Sequence, residues 1–362
     1  MNQILLWLRA HRRGVAALAA GLAALGIFVL ARRDRAAMDW WLSHISMPIK
    51  RGVSFLVDPL PCSACELGAT VLIVAALVLL MRAVRRRRFA SWVLHMAVLL
   101  VWGYAAVCGL WGTQYYGTTF AEKAGMTAPP VSVEELAAVT DYFAARVNET
   151  APLVDRDANG LFAVDKREIL DGCTGLYDPL TERWPFLSGP ERRPKPALYS
   201  KLMSAWGFTG YLCPLVGEST LNVDSPAVFL PVTVAHELAH QRGVAAEQEA
   251  NFVGVMAATA SPKADYAYSG WLFGYLHLSN ALYAADPALA AESYQTLCEG
   301  ARTDLADNNA YWKQWEGPVK ETGEKVYTTF LQGYGQSLGM RSYGACVDLL
   351  VQEFLPNTST SD

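Results

Sequence analysis

This chain of 362 residues carries little charge and has no surplus of basic residues. Charged side chains make up 18% of the sequence, and the 34 acidic residues slightly outnumber the 30 basic ones. Because a protein that binds nucleic acid needs positive charge for the phosphates, this composition argues against a nucleic-acid partner. Histidine is also rare, with six in the whole chain, so a chance pair with the spacing of metal ligands is rare as well.

Long apolar runs are present, and they are concentrated in the first third of the chain. The runs at about 14–31, 67–84 and 92–111 are each long enough to cross a bilayer, which takes about 17–25 residues. The first run lacks the small-residue cleavage site of a signal peptide, because Arg32-Arg33-Asp34-Arg35 follows it. We therefore predict three transmembrane helices, with the first one uncleaved, and the lipid bilayer as a partner.

Arginines are placed unequally around these runs, which predicts how the chain crosses the membrane. Arg9, Arg12 and Arg13 precede the first run, and four arginines at 85–88 separate the second run from the third. Because positive residues next to transmembrane helices stay in the cytoplasm, both regions are predicted to be cytoplasmic. The third run then carries everything after Gly112 to the extracytoplasmic side.

The organisation predicted from these patterns is a membrane region followed by one large domain. The membrane region covers 1–112, a polar linker 113–130, an extracytoplasmic domain 131–355, and a disordered tail 356–362. Apolar residues of the large domain recur mostly at helical spacing, so the predicted fold class is mainly α. Residues 218–223 are predicted instead as a small extended element at an edge, where a substrate backbone can bind by strand addition.

Cysteine is sparse, with seven in the chain, and its positions carry little functional information. Cys62 and Cys65 form a lone CxxC motif in the predicted outer loop, where local packing or a disulfide is favoured over a redox or metal role. The large domain has four cysteines in a compartment that would permit disulfides, although the sequence does not pair them: Cys173, Cys213, Cys298 and Cys346.

The main chemical signal is the sequence His-Glu-Leu-Ala-His at 236–240. On a helix, His236 and His240 lie one turn apart on the same face, so both imidazoles can reach one cation. Glu237 sits beside the first histidine, where a carboxylate can act as the base that activates water. A surface helix with two ordinary histidines is the alternative, but the apolar neighbours of the motif indicate buried histidines, which need partners. We predict a Zn²⁺ site of the zincin type.

No third histidine follows at the position that metzincins use, because that position is Ala246. Gly243 is a natural place for the first helix to end, and two carboxylates, Glu247 and Glu249, come after it. Glu247 shares a helical face with Asn251, which is placed to orient a histidine ligand by a hydrogen bond. This arrangement resembles the gluzincin plan, so Glu247 is predicted as the third ligand, with Glu249 as its rival.

Short stretches elsewhere in the chain carry a resemblance to a known family. In chain order they are Leu60-Pro61-Cys62-Ser63, Glu66-Leu67, Pro194-Lys195-Pro196, Ser200-Lys201-Leu202-Met203, Gly207, Thr209-Gly210, Gly217-Glu218, Asn222, HELAHQRG with the following EANF, Tyr268-Ser269-Gly270 and Asn280-Ala281-Leu282. With these stretches the chain resembles the bacterial membrane family named domain of unknown function 3810. The resemblance covers nearly the whole chain after the first apolar run. It implies a three-span membrane protein with a zinc-peptidase domain, and it implies no particular substrate.

These observations predict a membrane-anchored zinc metallopeptidase that hydrolyses a peptide or protein outside the membrane. Glu237 is expected to take a proton from water and later pass it to the leaving amine. Two alternatives stay open: a non-catalytic zinc-binding sensor or scaffold, and a zinc hydrolase that acts on a lipid or cell-wall amide. Zincins usually add a side chain that stabilises the oxyanion. The candidates for oxyanion stabilisation or substrate contact are Glu218, Tyr268, His277 and Asn280.

Overall fold

The computed structural model describes residues 2–127, 131–333 and 343–358. It is 73% helical, and the described residues contain three short strands. The predicted fold class, mainly α with a small extended element, is therefore confirmed. The chain divides into two compact units, a membrane unit of Met1–Thr118 with Cys213–Gly217 and a large unit of Thr119–Leu212 with Glu218–Asp362.

The membrane unit is built from the helices α1 (Asn2–Ala10), α2 (Arg12–Ala31), α3 (Arg35–Trp41), α4 (Met47–Val57), α5 (Ala64–Arg85) and α6 (Phe89–Leu110). A π-helical turn, Leu42–Ser46, joins α3 to α4, and a 3-10 turn, Gly112–Tyr115, follows α6. α2, α5 and α6 have at least 20 residues each, and no more than 11% of the apolar window of each is buried. Such exposure of apolar side chains is typical of helices in lipid. The three predicted apolar helices are confirmed, and they indicate a membrane protein.

Contacts within the membrane unit hold two of the long helices together. The indole nitrogen of Trp102 in α6 donates a hydrogen bond to the carbonyl of Ala17 in α2, at 2.9 Å. Gly21 allows this approach, since a Cβ there would lie 2.8 Å from Cγ1 of Val101. The side chain of Ser63 accepts a hydrogen bond from the backbone N–H of Glu66 and so caps the start of α5.

The large unit is built from helices of 5 to 22 residues around one hydrophobic core. They are α7 (Phe120–Ala124), α8 (Val133–Thr150), α9 (Lys166–Asp171), α10 (Asp178–Arg183), α11 (Ser200–Trp206), α12 (Leu230–Gln241), α13 (Glu247–Thr259), α14 (Ala264–Ala285), α15 (Pro287–Thr296), α16 (Glu299–Lys313), α17 (Pro318–Gly333) and α18 (Tyr343–Thr358), with 3-10 turns at Ala151–Leu153, Pro185–Leu187 and Ala227–Phe229. α14 is central, because it packs against α8, α12, α13, α15 and α18.

The start of α8 shows how local sequence sets a helix in this core. Ser132 caps the helix in a capping box: its hydroxyl accepts a hydrogen bond from the backbone N–H of Glu135, and the Glu135 carboxylate accepts one from the backbone N–H of Ser132. Val139, Phe143 and Val147 follow at helical spacing, and each is fully buried. They form the apolar face that packs along α14.

The three strands form one small sheet in the order β1-β3-β2, with β1 (Lys195–Pro196), β2 (Gly210–Leu212) and β3 (Ser219–Leu221). β3 is parallel to β1 and antiparallel to β2. The prediction that residues 218–223 form an edge segment is therefore wrong, because β3 pairs on both sides. All three residues of β3 are buried, which fits a central strand. β2 is the antiparallel edge strand of this sheet.

Three further regions of the sequence analysis can be located in the structure. The predicted linker, 113–130, includes the 3-10 turn after α6 and α7, and its residues 128–130 lie outside the described residues. The predicted tail, 356–362, continues α18 as far as residue 358, and 359–362 also lie outside them. Within the described residues, Cys173, Cys298 and Cys346 form no disulfide.

Candidate metal centre

Two consecutive helices, α12 and α13, carry the HExxH motif and the carboxylates that follow it. α12 ends at Gln241, and Gly243 follows with a φ of 91°, a left-handed conformation that favours glycine. The backbone N–H of Val244 donates to the carbonyl of Ala239, at 3.1 Å, and closes the end of the helix. The turn expected at Gly243 is present, and Glu247 is the first residue of α13.

A glycine on α13 lets the two helices pack closely. A Cβ at Gly254 would lie 3.0 Å from the backbone nitrogen of His236 and 3.1 Å from its Cα. A larger residue would push the helices apart, because the atoms that it meets belong to backbone. This close packing brings the first turn of α13 towards the histidine face of α12.

The structure brings His236, His240 and Glu247 together. Oε2 of Glu247 lies 3.3 Å from Nε2 of His236, and Oε1 lies 3.6 Å from Nε2 of His240. Each of the three residues offers one possible ligand atom, and these atoms all lie within 4.8 Å of one another. Among the described residues, no other group of three or more His, Cys, Asp or Glu side chains meets this condition. Two imidazole nitrogens and one carboxylate oxygen around a common point can hold one divalent metal ion.

A backbone contact fixes the tautomer that His240 has when its ring is neutral. Its Nδ1 lies 2.6 Å from the carbonyl oxygen of Val244. Because a carbonyl only accepts hydrogen bonds, Nδ1 carries a proton, so the neutral form of the ring has its lone pair at Nε2, as a metal ligand needs. Asn251 is expected to orient a histidine ligand, but it makes no hydrogen bond to either ring in the described part of the chain. Nδ1 of His236 also has no hydrogen-bond partner there.

Charge and burial act against each other in this cluster. Burial lowers the pKa of His240, but the charge of Glu247 and its hydrogen bond raise it by more, to about 9. Burial likewise raises the pKa of Glu247, but the charge of His240 and hydrogen bonds from both rings hold it well below the ordinary value. Glu247 is therefore ionised at neutral pH, as a carboxylate ligand must be.

Glu237 lies beside the cluster and is 3% exposed. Burial raises its pKa to about 7, although the charges of His240 and His236 lower it in part and Glu247 adds to the rise. Its Oε2 atom has no hydrogen-bond partner among the described residues. A cation in the cluster would lower this pKa again, because it favours the ionised carboxylate. A carboxyl that titrates near neutral pH can both take up and release a proton.

Glu249 has a different role from Glu247, its predicted rival. Its carboxylate accepts hydrogen bonds from the backbone N–H groups of Phe120, at 3.0 Å, and Ala121, at 2.9 Å. These groups belong to the first turn of α7, whose N–H donors have no partner within the helix. Two residues apart on α13, the glutamates point about 200° apart around the axis. Glu249 is therefore turned towards α7, and Glu247 towards the histidines.

The edge strand β2 borders Glu237. A Cβ at Gly210 would lie 2.7 Å from Oε1 of Glu237, so glycine leaves the space that this carboxylate occupies. Gly210 of β2 lies opposite Leu221 of β3. The carbonyl of Leu221 points away from β2, because it accepts a hydrogen bond from the backbone N–H of Ala197 on the far side of β3, at 2.8 Å. Because polar backbone groups alternate in direction along a strand, the N–H and C=O of Gly210 point away from β3. β2 therefore presents backbone hydrogen-bonding groups at the sheet edge beside Glu237.

Comparison with known proteins places the chain in a family. The family described as "Protein of unknown function (DUF3810)" matches residues 43–351, well over half of the chain. The chain belongs to the DUF3810 family. The resemblance carried by the short sequence stretches is thereby confirmed. No curated protein and no solved structure was found to match this DUF3810 chain.

Sequence patterns do not single out Tyr327, which lies in α17 of the DUF3810 protein. Its hydroxyl donates a hydrogen bond to Oε1 of Glu247, at 2.5 Å. Its ring packs edge-on against the ring of Phe208, with 5.4 Å between the centroids. Tyr327 and Glu247 are 80 residues apart, so no local pattern links them and only the fold brings them together.

Three of the predicted auxiliary residues lie in different settings. The hydroxyl of Tyr268 donates to Asp304, at 2.5 Å, and accepts from Arg156, at 3.2 Å, so it belongs to a buried polar network. Asn280 is exposed on α14. Glu218 is buried immediately before β3.

His277 is the fourth predicted auxiliary residue, and it is 5% exposed in α14. Burial lowers its pKa to about 4, and the charge of His236 contributes to the shift. The His277 ring packs edge-on against Phe273, with 4.5 Å between the centroids. His277 is therefore neutral at physiological pH and electrostatically coupled to the metal-ligand candidates.

Proposed function

We propose that this DUF3810 protein is a membrane-anchored zinc metallopeptidase. The cluster of His236, His240 and Glu247 beside the buried Glu237 carries the proposal. Two imidazoles and one carboxylate are the ligand set of His₂Glu zinc peptidases, which keep one coordination position open for chemistry. The hydrogen bond from Nδ1 of His240 to a backbone carbonyl also supports it, because zinc-binding histidines usually donate in this way.

The residues around the cluster fit the chemistry of peptide hydrolysis. Zinc, when bound, supplies a Lewis acid that polarises the scissile carbonyl and makes water more acidic. Glu237 takes a proton from the attacking water and delivers it to the leaving amine. Burial raises the pKa of this carboxyl and a bound cation would lower it again, so the two effects oppose each other at the base. Tyr327 holds Glu247 in the orientation of a ligand.

The substrate class that fits this site is an extended peptide. The outward N–H and C=O of Gly210 can pair with a peptide backbone by strand addition. Because Gly210 lies against Glu237, a peptide paired with β2 has its backbone beside the base. β2 takes the role that the sequence assigns to residues 218–223.

The same proposal places the large unit outside the cytoplasm. α5 ends at Arg85 and α6 begins at Phe89, so the four arginines at 85–88 form a very short connection between two apolar helices. All four are exposed. Positive charge in a short loop is a strong signal for the cytoplasmic side. With three crossings, the N-terminus is cytoplasmic and the chain after α6 is not.

Zinc content and peptide cleavage, measured on the same purified full-length protein, test the proposal. We compare the wild type with Glu237→Gln, which keeps the shape of the side chain and removes the base. We expect about one zinc per chain in both proteins. Cleavage of a peptide library is expected to fall about 10²–10⁴-fold in the variant, the usual contribution of a general base.

A matched control makes the same chemical change away from the cluster. Glu292 is exposed on α15, and Glu292→Gln is expected to leave zinc content and cleavage unchanged. Zinc bound without cleavage of any peptide would indicate the sensor or scaffold. Cleavage restricted to lipid or cell-wall amides would indicate the other hydrolase class. A wild type that binds no zinc would refute the proposal.

A further inference from the structure

The segment between α2 and α5 forms one nearly continuous helix, 35–57, whose exposed face is mainly apolar, with Arg35, Ser43 and His44 as its exposed polar residues. We call this face the apolar stripe and define it as Trp40, Trp41, Pro48, Ile49, Gly52, Phe55 and Leu56, all of them exposed. Their spacing puts them on one side of a helix. Trp40 is 55% exposed, Phe55 62% and Leu56 75%. His44, on the same side, stacks on the Trp40 ring.

Two charged side chains of the same helix, Asp39 and Lys50, are engaged by the membrane unit itself, whereas Arg35 at its first position is exposed. The carboxylate of Asp39 accepts hydrogen bonds from the backbone N–H of Thr118, at 2.8 Å, and from its hydroxyl, at 2.6 Å. Lys50 is 3% exposed, and its ammonium lies 5.1 Å from the centroid of the Trp111 ring. In water a helix exposes its charges and buries its apolar face, so this helix has the opposite arrangement.

Hydrogen bonds fix the depth of the helix relative to the third apolar helix. The indole nitrogen of Trp41 and the hydroxyl of Ser46 both donate to the carbonyl of Gly109, at 2.8 Å and 2.6 Å. Gly109 is the penultimate residue of α6, which ends at Leu110. The helix therefore crosses α6 near its C-terminal end, whereas the arginines at 85–88 precede the N-terminal end of α6. Because α6 is long enough to cross a bilayer, its C-terminal end lies at the level of a bilayer surface.

Chain connections also keep the helix at this level. Three residues, 32–34, link it to the end of α2, and six residues, 58–63, link it to the start of α5. Both long helices are apolar enough to cross a membrane. The helix 35–57 is therefore connected at each end to a helix that can lie in lipid. Tryptophan is enriched at this depth, and interfacial amphipathic helices present Trp, Phe and Leu on one face.

We propose that 35–57 is an interfacial helix whose apolar stripe is buried in lipid, at the bilayer surface opposite to the arginines at 85–88. Lipid covers the stripe, which lies in the layer of that leaflet where the acyl chains meet the headgroups. The membrane unit is then held by a surface helix as well as by three crossing helices. This inference does not depend on catalysis by the metal centre.

Site-specific photo-crosslinking in the full chain tests the proposal. Phe55 and Leu56 are replaced one at a time by p-benzoylphenylalanine, and the protein is reconstituted into vesicles of phosphatidylethanolamine and phosphatidylglycerol. Leu100, which is 71% exposed in the middle of α6, serves as the lipid-facing reference. Tyr283, which is 66% exposed on α14 of the large unit, serves as the reference outside the membrane unit.

We expect covalent lipid adducts at positions 55 and 56 with yields close to that at position 100, and far lower yields at position 283. Intact-protein mass spectrometry measures the adducts, and thermal unfolding shows that each substituted protein is folded. Adducts between two protein chains in place of lipid would show that a second copy covers the stripe and overturn the proposal. Yields no higher than at position 283, while position 100 reacts, would also overturn it.

Discussion

Single residues at the start of α13 have distinct partners, although the sequence offers two glutamates as ligands. Glu247 faces two histidine rings, and Glu249 accepts two backbone hydrogen bonds from α7. Loss of a residue that hydrogen-bonds to a metal ligand lowers metal affinity roughly 10–100-fold. We predict that Glu247→Ala, which removes a ligand itself, lowers zinc affinity by more than this. Glu249→Ala should keep the zinc and lower the free energy of unfolding by about 1–3 kcal/mol, because buried N–H donors lose their acceptor.

Zinc titration and urea unfolding of the two alanine variants, side by side, check this prediction. The two changes remove the same atoms from positions two residues apart on one helix, so each variant is the control for the other. Retained zinc in Glu247→Ala together with lost zinc in Glu249→Ala would reverse the ligand assignment.

Tyr327 gives a second prediction at the residue scale. Its hydroxyl donates to Oε1 of Glu247 at 2.5 Å, so Tyr327→Phe removes the group that orients this carboxylate and leaves the ring packing intact. Loss of such a partner typically lowers metal affinity about 10–100-fold. Tyr283→Phe removes a hydroxyl from an exposed ring on α14 and should not change it. Equal zinc affinity in both variants, by competition with a chelator, would show that Tyr327 has no part in the centre.

At the scale of elements, local features were predictable from the sequence and long-range pairings were not. The helix of the HExxH motif, the turn at Gly243 and the capping box at Ser132 depend on neighbours within a few residues. The central position of β3 and the contact of Tyr327 depend on segments far apart in the chain, and no periodicity encodes them. The helix at 35–57 could not be predicted from the usual apolar pattern, because its exposed face is mainly apolar and Asp39 and Lys50 contact the protein.

The closeness of β2 to α12 leads to a prediction about Gly210. A Cβ at this position would lie 2.6 Å from Cδ2 of Leu221 and 2.7 Å from Oε1 of Glu237. Both are ends of side chains, so the protein can fold around an alanine by moving them. We predict that Gly210→Ala displaces the Glu237 carboxylate and reduces peptide cleavage about 10-fold or more, within the range for a misplaced catalytic group. Zinc content should stay unchanged, since none of the three ligand candidates meets the new Cβ.

Measuring zinc and cleavage together separates displacement of the base from general damage to the fold. Gly26 lies on the apolar helix α2, where a Cβ meets nothing within 4 Å, and Gly26→Ala serves as the control. A Gly210→Ala protein that loses zinc and unfolds at lower temperature would contradict the prediction, because the effect would then not be confined to Glu237.

At the scale of the whole molecule, three apolar helices and one short arginine-rich connection predict on which side of the membrane the candidate metal centre lies. A bacterial alkaline phosphatase fused to the C-terminus is expected to be active, and a green fluorescent protein fused there dark, because the first folds only outside the cytoplasm and the second only inside. The expected physical cause is the positive charge at 85–88, which is predicted to keep that connection cytoplasmic. Replacing these four arginines by asparagine is therefore expected to lower the phosphatase signal and raise fluorescence. A bright fusion with an inactive phosphatase in the unsubstituted chain would place the metal centre in the cytoplasm, where an envelope peptide is not its substrate.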